Sequence, residues 1–305
     1  AWRRRDTGVG GAERFRRHFK FSRIPSGFHR PIRMSEPSPN THAPAAEPVR
    51  HERDARGVHR LTLDQPKAFN VLSEAALTQL QRHLDAIAAD ESARALVIAA
   101  EGKAFCAGHD LKQMKANPDL GYYQRLFAQC TRVMLAIQRL PVPVIARVQG
   151  LATAAGCQLV AQCDLAVAVD SARFGVNGID VGLFCATPSV PLVRNIAPKV
   201  AMEMLLTGGF ISAAEAQARG LINHAVPAEQ LDETVEALLA AILAKPRQAV
   251  AMGKQLFYQQ RELGIEAAYQ LAGQTMACNM VLDVAQEGVQ AFIDKREPTW
   301  RTPPR

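Results

Sequence analysis

Two segments of this 305-residue chain carry residue types that could do chemistry. The first is Gly102-Lys103-Ala104-Phe105-Cys106-Ala107-Gly108-His109-Asp110-Leu111, and the second is Gly150-Leu151-Ala152-Thr153-Ala154-Ala155-Gly156-Cys157-Gln158-Leu159. Each follows a buried apolar run and leads into a helical pattern. The first N–H groups of a helix have no intrahelical acceptor and sit at the positive end of its dipole. Small residues at Ala107, Gly108, Ala155 and Gly156 let a ligand oxygen come close to that backbone. Either turn alone is most simply a tight strand-to-helix junction. Two of them side by side make an oxyanion hole, able to hold negative charge developing on an oxygen.

The elements that must position these turns follow from apolar periodicity. His59 to Leu63 alternates with period two and reads as a strand. Ser73 caps a helix on which Leu77, Leu80, Leu84 and Ile87 recur at helical spacing. Ala95 to Ala99, Val142 to Val148 and Leu165 to Val169 read as buried strands, and Ile222 to Val226 as the last strand. After Pro227 the chain reads as almost wholly helical, with breaks near Pro246, Gly264 and Asp283. Alternating short strands and helices predict an α/β fold. The organisation expected is a basic leader and Pro-rich linker over residues 1–48, an α/β core over 49–227 and a helical region over 228–305.

Composition excludes several functions. The net charge of +7 suggests nucleic-acid binding until it is divided. Residues 1–33 hold nine Arg and one Lys against Asp6 and Glu13, a balance of +8, so residues 34–305 carry −1. The leader permits three readings: translation from upstream of a true start at Met34, an Arg-rich mitochondrial transit segment, or a basic arm. Asp6, Glu13 and poor amphipathicity favour the first. A cytoplasmic protein is then expected, or a mitochondrial matrix protein if residues 1–33 act as a transit segment in a eukaryote. The six cysteines form no C-x-x-C pair and the eight histidines no H-E-x-x-H, so no metal site is expected and free thiols are the simplest account. No run of roughly 20 apolar residues suggests a membrane span.

The two segments, together with Pro141 to Gly150, Cys163-Asp164, Leu206 to Gly208, Gly220-Leu221-Ile222 and Glu287-Gly288 to Trp300, resemble the enoyl-CoA hydratase/isomerase (crotonase) superfamily. The resemblance runs from about Arg56 to Trp300. It implies a spiral of ββα units with a C-terminal helical oligomerisation region, assembling as a trimer or a dimer of trimers. It implies an acyl-CoA thioester as partner, with coenzyme A part of the substrate and no separate cofactor. The oxyanion donors it implies are the N–H groups of Ala107 and Ala155, with Gly108, Gly156 and Gln158 also at the substrate.

One departure stands out. In active hydratases of the family one glutamate activates water and a second exchanges a proton with the α-carbon. These positions fall on Gln158 and Gly178. Glutamine cannot accept a proton and glycine offers no side chain, so hydration is expected to be weak. A non-catalytic acyl-CoA-binding role is the alternative.

Asp180, two positions past the vacancy, is one candidate replacement and otherwise a solvated or capping carboxylate. His109 is the other, as a proton donor to an enolate, or else a plainly hydrogen-bonded histidine. Asp110 is expected to cap a helix, and Cys106, Cys157 and Cys185 to be small buried hydrophobes. For the nucleotide of coenzyme A the resemblance points to Lys103, Lys112, Phe292 and Lys295, each otherwise a surface residue.

Overall fold

The structure is a computed structural model and describes residues 47–301. The expectations for the leader and for most of the Pro-rich linker lie outside the described residues. The strands β1 (Val49–Arg53) and β2 (Val58–Leu63) form an antiparallel hairpin, and α1 (Glu74–Ala89) follows. The Ser73 hydroxyl accepts from the Ala76 N–H at 3.2 Å. The α1 face at Leu77, Leu80, Leu84 and Ile87 is buried, as the helical spacing requires.

Three ββ units then repeat. In the first, β3 (Ala95–Ala100) and β4 (Ala104–Cys106) lead into α2 (Leu111–Ala116) and α3 (Leu120–Arg139). In the second, β5 (Val144–Val148) and β6 (Leu151–Thr153) lead into α4 (Ala155–Gln162). In the third, β7 (Leu165–Val169) and β8 (Arg173–Gly175) lead through a 3-10 turn, Asn177–Val181, into α5 (Ala186–Asn195). Each unit gives its first strand to a six-stranded sheet and its second to a four-stranded one. All six residues of β3 are buried, the near-continuous apolar run expected of a central parallel strand.

The chain continues through α6 (Pro198–Thr207), β9 (Ile211–Ser212), α7 (Ala213–Ala218) and β10 (His224–Val226). The large sheet runs β1-β2-β3-β5-β7-β10 and the small sheet β4-β6-β8-β9. Then come α8 (Leu231–Leu243), α9 (Arg247–Gln260), α10 (Ile265–Met280) and α11 (Asp283–Ile293). The first of these helices buries Leu231, Val235 and Leu239 in the same core as the large sheet. Helix α9 is pinned to that core by Lys254. Its ammonium donates to the carbonyls of Ile137 and Val142 and lies 2.7 Å from the Asp164 carboxylate.

The small sheet decides where chemistry can occur. Strands β4 and β6 are parallel neighbours, pairing Ala104 with Leu151 and Cys106 with Ala152. Their C-terminal ends therefore lie side by side, about 4.8 Å apart as hydrogen-bonded strands are. The two glycine-bearing turns leave the sheet at those ends.

Candidate functional site

The first turn is held from outside its own segment. Ala107 donates its N–H to the Phe69 carbonyl at 3.0 Å, and Leu72 donates to the Gly108 carbonyl at 2.7 Å. Asn70 fastens the same loop by donating its side-chain amide to the carbonyls of Glu101 and Ala104, each at 2.8 Å. The Ala107 N–H, expected as an oxyanion donor, is thus consumed by the fold. The next cavity-lining residue is His109, whose backbone N–H meets no acceptor among the described residues.

In the second turn Ala154 adopts φ 50° and ψ −121°, a costly conformation for a residue with a Cβ. Its N–H donates to the Gly175 carbonyl at 2.9 Å. Ala155 begins α4, so its N–H lacks an intrahelical acceptor. Gly108 has φ +90°, and a Cβ built on it would lie 3.2 Å from the Ala155 nitrogen. The turns are therefore in contact, and the two free donors beside the cavity are His109 N–H and Ala155 N–H. A Cβ on Gly156 would come within 2.0 Å of the Cys106 carbonyl oxygen. Gly108 and Gly156, expected at the substrate, instead allow α4 and the β4 turn to meet.

These donors open on a cavity of about 390 Å3. Leu111, Met114 and Phe127 form one wall, and Val181, Leu183 and Phe184 another. Thr153 and Asn177 add polarity, with the threonine hydroxyl donating to Oδ1 of the Asn177 side chain at 2.5 Å. No Asp, Glu, Lys or Arg lines this cavity among the described residues. Its one side chain able to titrate near neutrality is His109.

The imidazole of His109 has defined roles. Nδ1 lies 3.3 Å from the Leu72 carbonyl, which can only accept, so Nδ1 carries the proton. Nε2 is buried without a partner and offers a lone pair. The ring meets Phe127 edge-on, with centroids 5.4 Å apart. Burial pushes its pKa below the ordinary histidine value, and the Leu72 hydrogen bond only partly opposes this. The group is a neutral base at physiological pH, where a proton donor was expected. The thiols of Cys106 and Cys157 are pushed up to about 12 by burial and are inert packing groups.

The remaining expected residues are dispersed. Asp180 is exposed, and its carboxylate turns to Gly208, where a Cβ would lie 2.7 Å from Oδ1. The 3-10 turn directs it away from the cavity, which removes it as acid or base. Gln158 is 4% exposed but borders a neighbouring cavity, one turn further along α4. Position 178 is closed: a Cβ there would meet the Leu183 carbonyl oxygen at 2.4 Å and the Cys185 sulfur at 2.8 Å.

Asp110 caps α2 as expected, accepting from the N–H groups of Lys112 and Gln113. Lys103 and Lys112 are exposed outside the cavity lining. Phe292 and Lys295 lie exposed at the end of α11. The apolar wall was not anticipated; the three-residue spacing of Leu111 and Met114 and the buried face of α3 were its only signals.

Comparison with known proteins follows the same lines. A family model described as enoyl-CoA hydratase/isomerase matches residues 53–303. Enoyl-CoA hydratase domain-containing protein 3, mitochondrial, of Rattus norvegicus is 45% identical over 258 residues, 84% of this chain and 86% of the relative. The Homo sapiens protein of that name is 42% identical over 283 residues, 93% of this chain and 89% of the relative. Among solved structures, an enoyl-CoA hydratase from Mycobacterium smegmatis is 61% identical with a TM-score of 0.83, covering 84% of this chain and 99% of that one. Human enoyl-CoA hydratase domain-containing protein 3 has a TM-score of 0.80 at 43% identity, covering 83% and 100%.

Proposed function

We propose, from the premise that this chain belongs to the enoyl-CoA hydratase/isomerase family, that it binds an acyl-CoA thioester and moves a proton beside the thioester carbonyl with His109 as base. The supporting observation is the neutral imidazole of His109, its Nε2 unpartnered, on a residue that lines the same cavity as two free backbone donors. In this reading the N–H groups of His109 and Ala155 stabilise the oxygen as the α-carbon loses its proton. Nε2 takes the proton, becomes cationic, and returns it to the same or a neighbouring carbon. Proton exchange and 3-enoyl to 2-enoyl isomerisation need one such group.

Hydration also needs a base to activate water. The glutamates that the family uses are replaced by Gln158 and Gly178, and losing one positioned acid or base costs about 10² to 10⁴ in rate. Decarboxylation is disfavoured because, among the described residues, no Lys or Arg lines the cavity to hold a substrate carboxylate. Lys103 and Lys112 flank the first turn and are assigned to the anionic end of coenzyme A. The exposed apolar residues of α10 and α11 are assigned to self-association as a trimer or a dimer of trimers.

The test is isomerisation of 3-hexenoyl-CoA, with solvent deuterium exchange into hexanoyl-CoA. The rate should rise with pH through the lowered pKa of His109 and then level. His109→Ala should lose about 100-fold or more while its affinity for hexanoyl-CoA changes little. Turnover that survives the substitution would overturn the assignment of the base. CoA-ester binding with no turnover in the wild type would establish the second reading, a non-catalytic acyl-CoA-binding protein, which the absence of a carboxylate from the cavity favours.

A further inference from the structure

A second cavity, of about 400 Å3, lies behind the first between α3, α4, α5 and α9. Thr187 lines both, so the two adjoin at that residue. Ala155, beside the first cavity, and Gln158, beside the second, are three residues apart on one face of α4, a rise of about 4.5 Å. A chain attached at the two free donors and passing Thr187 therefore runs along Gln158.

The polar groups of this second cavity divide sharply. Its charged side chains are already committed. Asp164 accepts from the Val144 N–H at 2.7 Å and the Tyr258 hydroxyl at 2.8 Å, and pairs with Lys254. Arg194 pairs with Glu262 at 3.2 Å and donates to the Val190 carbonyl, while Arg261 donates to the Arg194 carbonyl and covers the Phe257 ring. The uncommitted groups are neutral. Gln158 is 96% buried, and its Oε1 has no hydrogen-bond partner in the chain. A buried amide oxygen left so costs about 1–3 kcal/mol, which a bound donor would recover.

We propose that this cavity is a distal acyl subsite for a thioester whose chain carries a neutral hydroxyl, read by Gln158 and Thr187. The inference rests on the acyl-CoA reading of the first cavity. A hydroxyl can donate to Oε1 of Gln158 and accept from the hydroxyl of Thr187, which lines the same cavity. A terminal methyl can do neither. A carboxylate would face Oε1 with a second acceptor and find the arginines engaged.

Calorimetric titration of the full chain with hexanoyl-, octanoyl- and decanoyl-CoA, each beside its ω-hydroxy and ω-carboxy counterparts, tests this. The ω-hydroxy ester should bind about tenfold tighter than its methyl-ended partner at one or more lengths, the size of one net hydrogen bond. Gln158→Leu and, independently, Thr187→Val should bring that ratio close to one. Equal affinities at all three lengths, or a preference unchanged in both variants, would overturn the subsite while the methyl-ended esters still report on the first cavity. Tighter binding of the ω-carboxy esters would overturn it in favour of a charge-reading pocket. No affinity for any of the esters would instead remove the acyl-CoA reading on which it rests.

Discussion

Position 178 shows how one missing side chain can be fixed by its surroundings. Gly178 donates its N–H towards the Cys185 sulfur at 3.3 Å and accepts from the Leu183 N–H at 2.9 Å. The loop through 183–185 has thereby closed over the space a side chain would use. Gly178→Ala should cost about 1–3 kcal/mol through overpacking, read as a lowered urea midpoint at unchanged slope. An unchanged midpoint would mean that the loop yields freely. Gly178→Glu should fail to raise hydration of crotonyl-CoA for the same steric reason. Residue types at 158 and 178 were legible in the sequence, but this closure was not, because it rests on a carbonyl and a thiol five and seven positions away. The occupied Ala107 N–H was equally invisible, since its acceptor is the backbone of Phe69, an interaction that no side-chain pattern encodes. Asp180 looked available only because sequence distance says nothing of which way a 3-10 turn points a carboxylate.

Among the elements, the long buried strands and capped helices were readable from apolar spacing, whereas β4, β6 and β8 were not. Each is three residues long, so none has enough side chains to show a period. They belong to the sheet that sets the two turns together, which is why the turns were recognisable as a pair only through resemblance. The hairpin of β1 and β2 against α1 holds a different unread feature. His51 Nε2 lies 2.9 Å from His59 Nδ1, and His59 Nε2 lies 3.1 Å from Asp90. The His83 ring packs on His51 at 4.9 Å. Burial lowers the pKa of all three; His51 is further lowered by its two histidine neighbours and His83 by Arg82, while Asp90 opposes this at His59 and Glu47 at His83. Arg53 adds to the lowering at His59, and Asp54 opposes it. A histidine whose folded pKa lies below its unfolded value of about 6.5 makes the unfolded chain bind more protons. Its stabilising contribution is therefore present above that value and lost as pH falls below it through the lowered folded value. Urea unfolding at pH 7.5 and 5.5 should show a loss of stability on acidification that a His51→Gln, His83→Gln double variant reduces. An equal loss in that variant would show that the cluster is not responsible.

For the whole molecule, the decisive asymmetry is in where apolar surface goes. The core around the large sheet is fully buried, yet α9 buries no residue completely and α10 only Ala268. Ile265, Tyr269, Met276, Val281 and Phe292 on or beside α10 and α11 are 63–85% exposed. Exposed clusters of this kind in a folded chain mark association surfaces. The long apolar periods after Pro227 disclosed helices but could not say whether their partner is the same chain or another. The structure answers for α8, which covers the large sheet, and leaves the outer faces of α10 and α11 exposed. Light scattering on the purified chain should give a mass that is a multiple of three times the 33.2 kDa of one chain. A Val281→Asp, Phe292→Asp variant places charge on that face without touching the sheets, so it should lower the mass towards 33.2 kDa while keeping the far-ultraviolet circular dichroism of the parent. Because the cavity beside His109 and Ala155 is lined from β6, α2, α3, α4, α5 and the Asn177–Val181 turn, the dissociated variant should retain affinity for acyl-CoA esters. A wild-type mass of one chain would overturn the association. A variant that stays assembled would place the interface on another face.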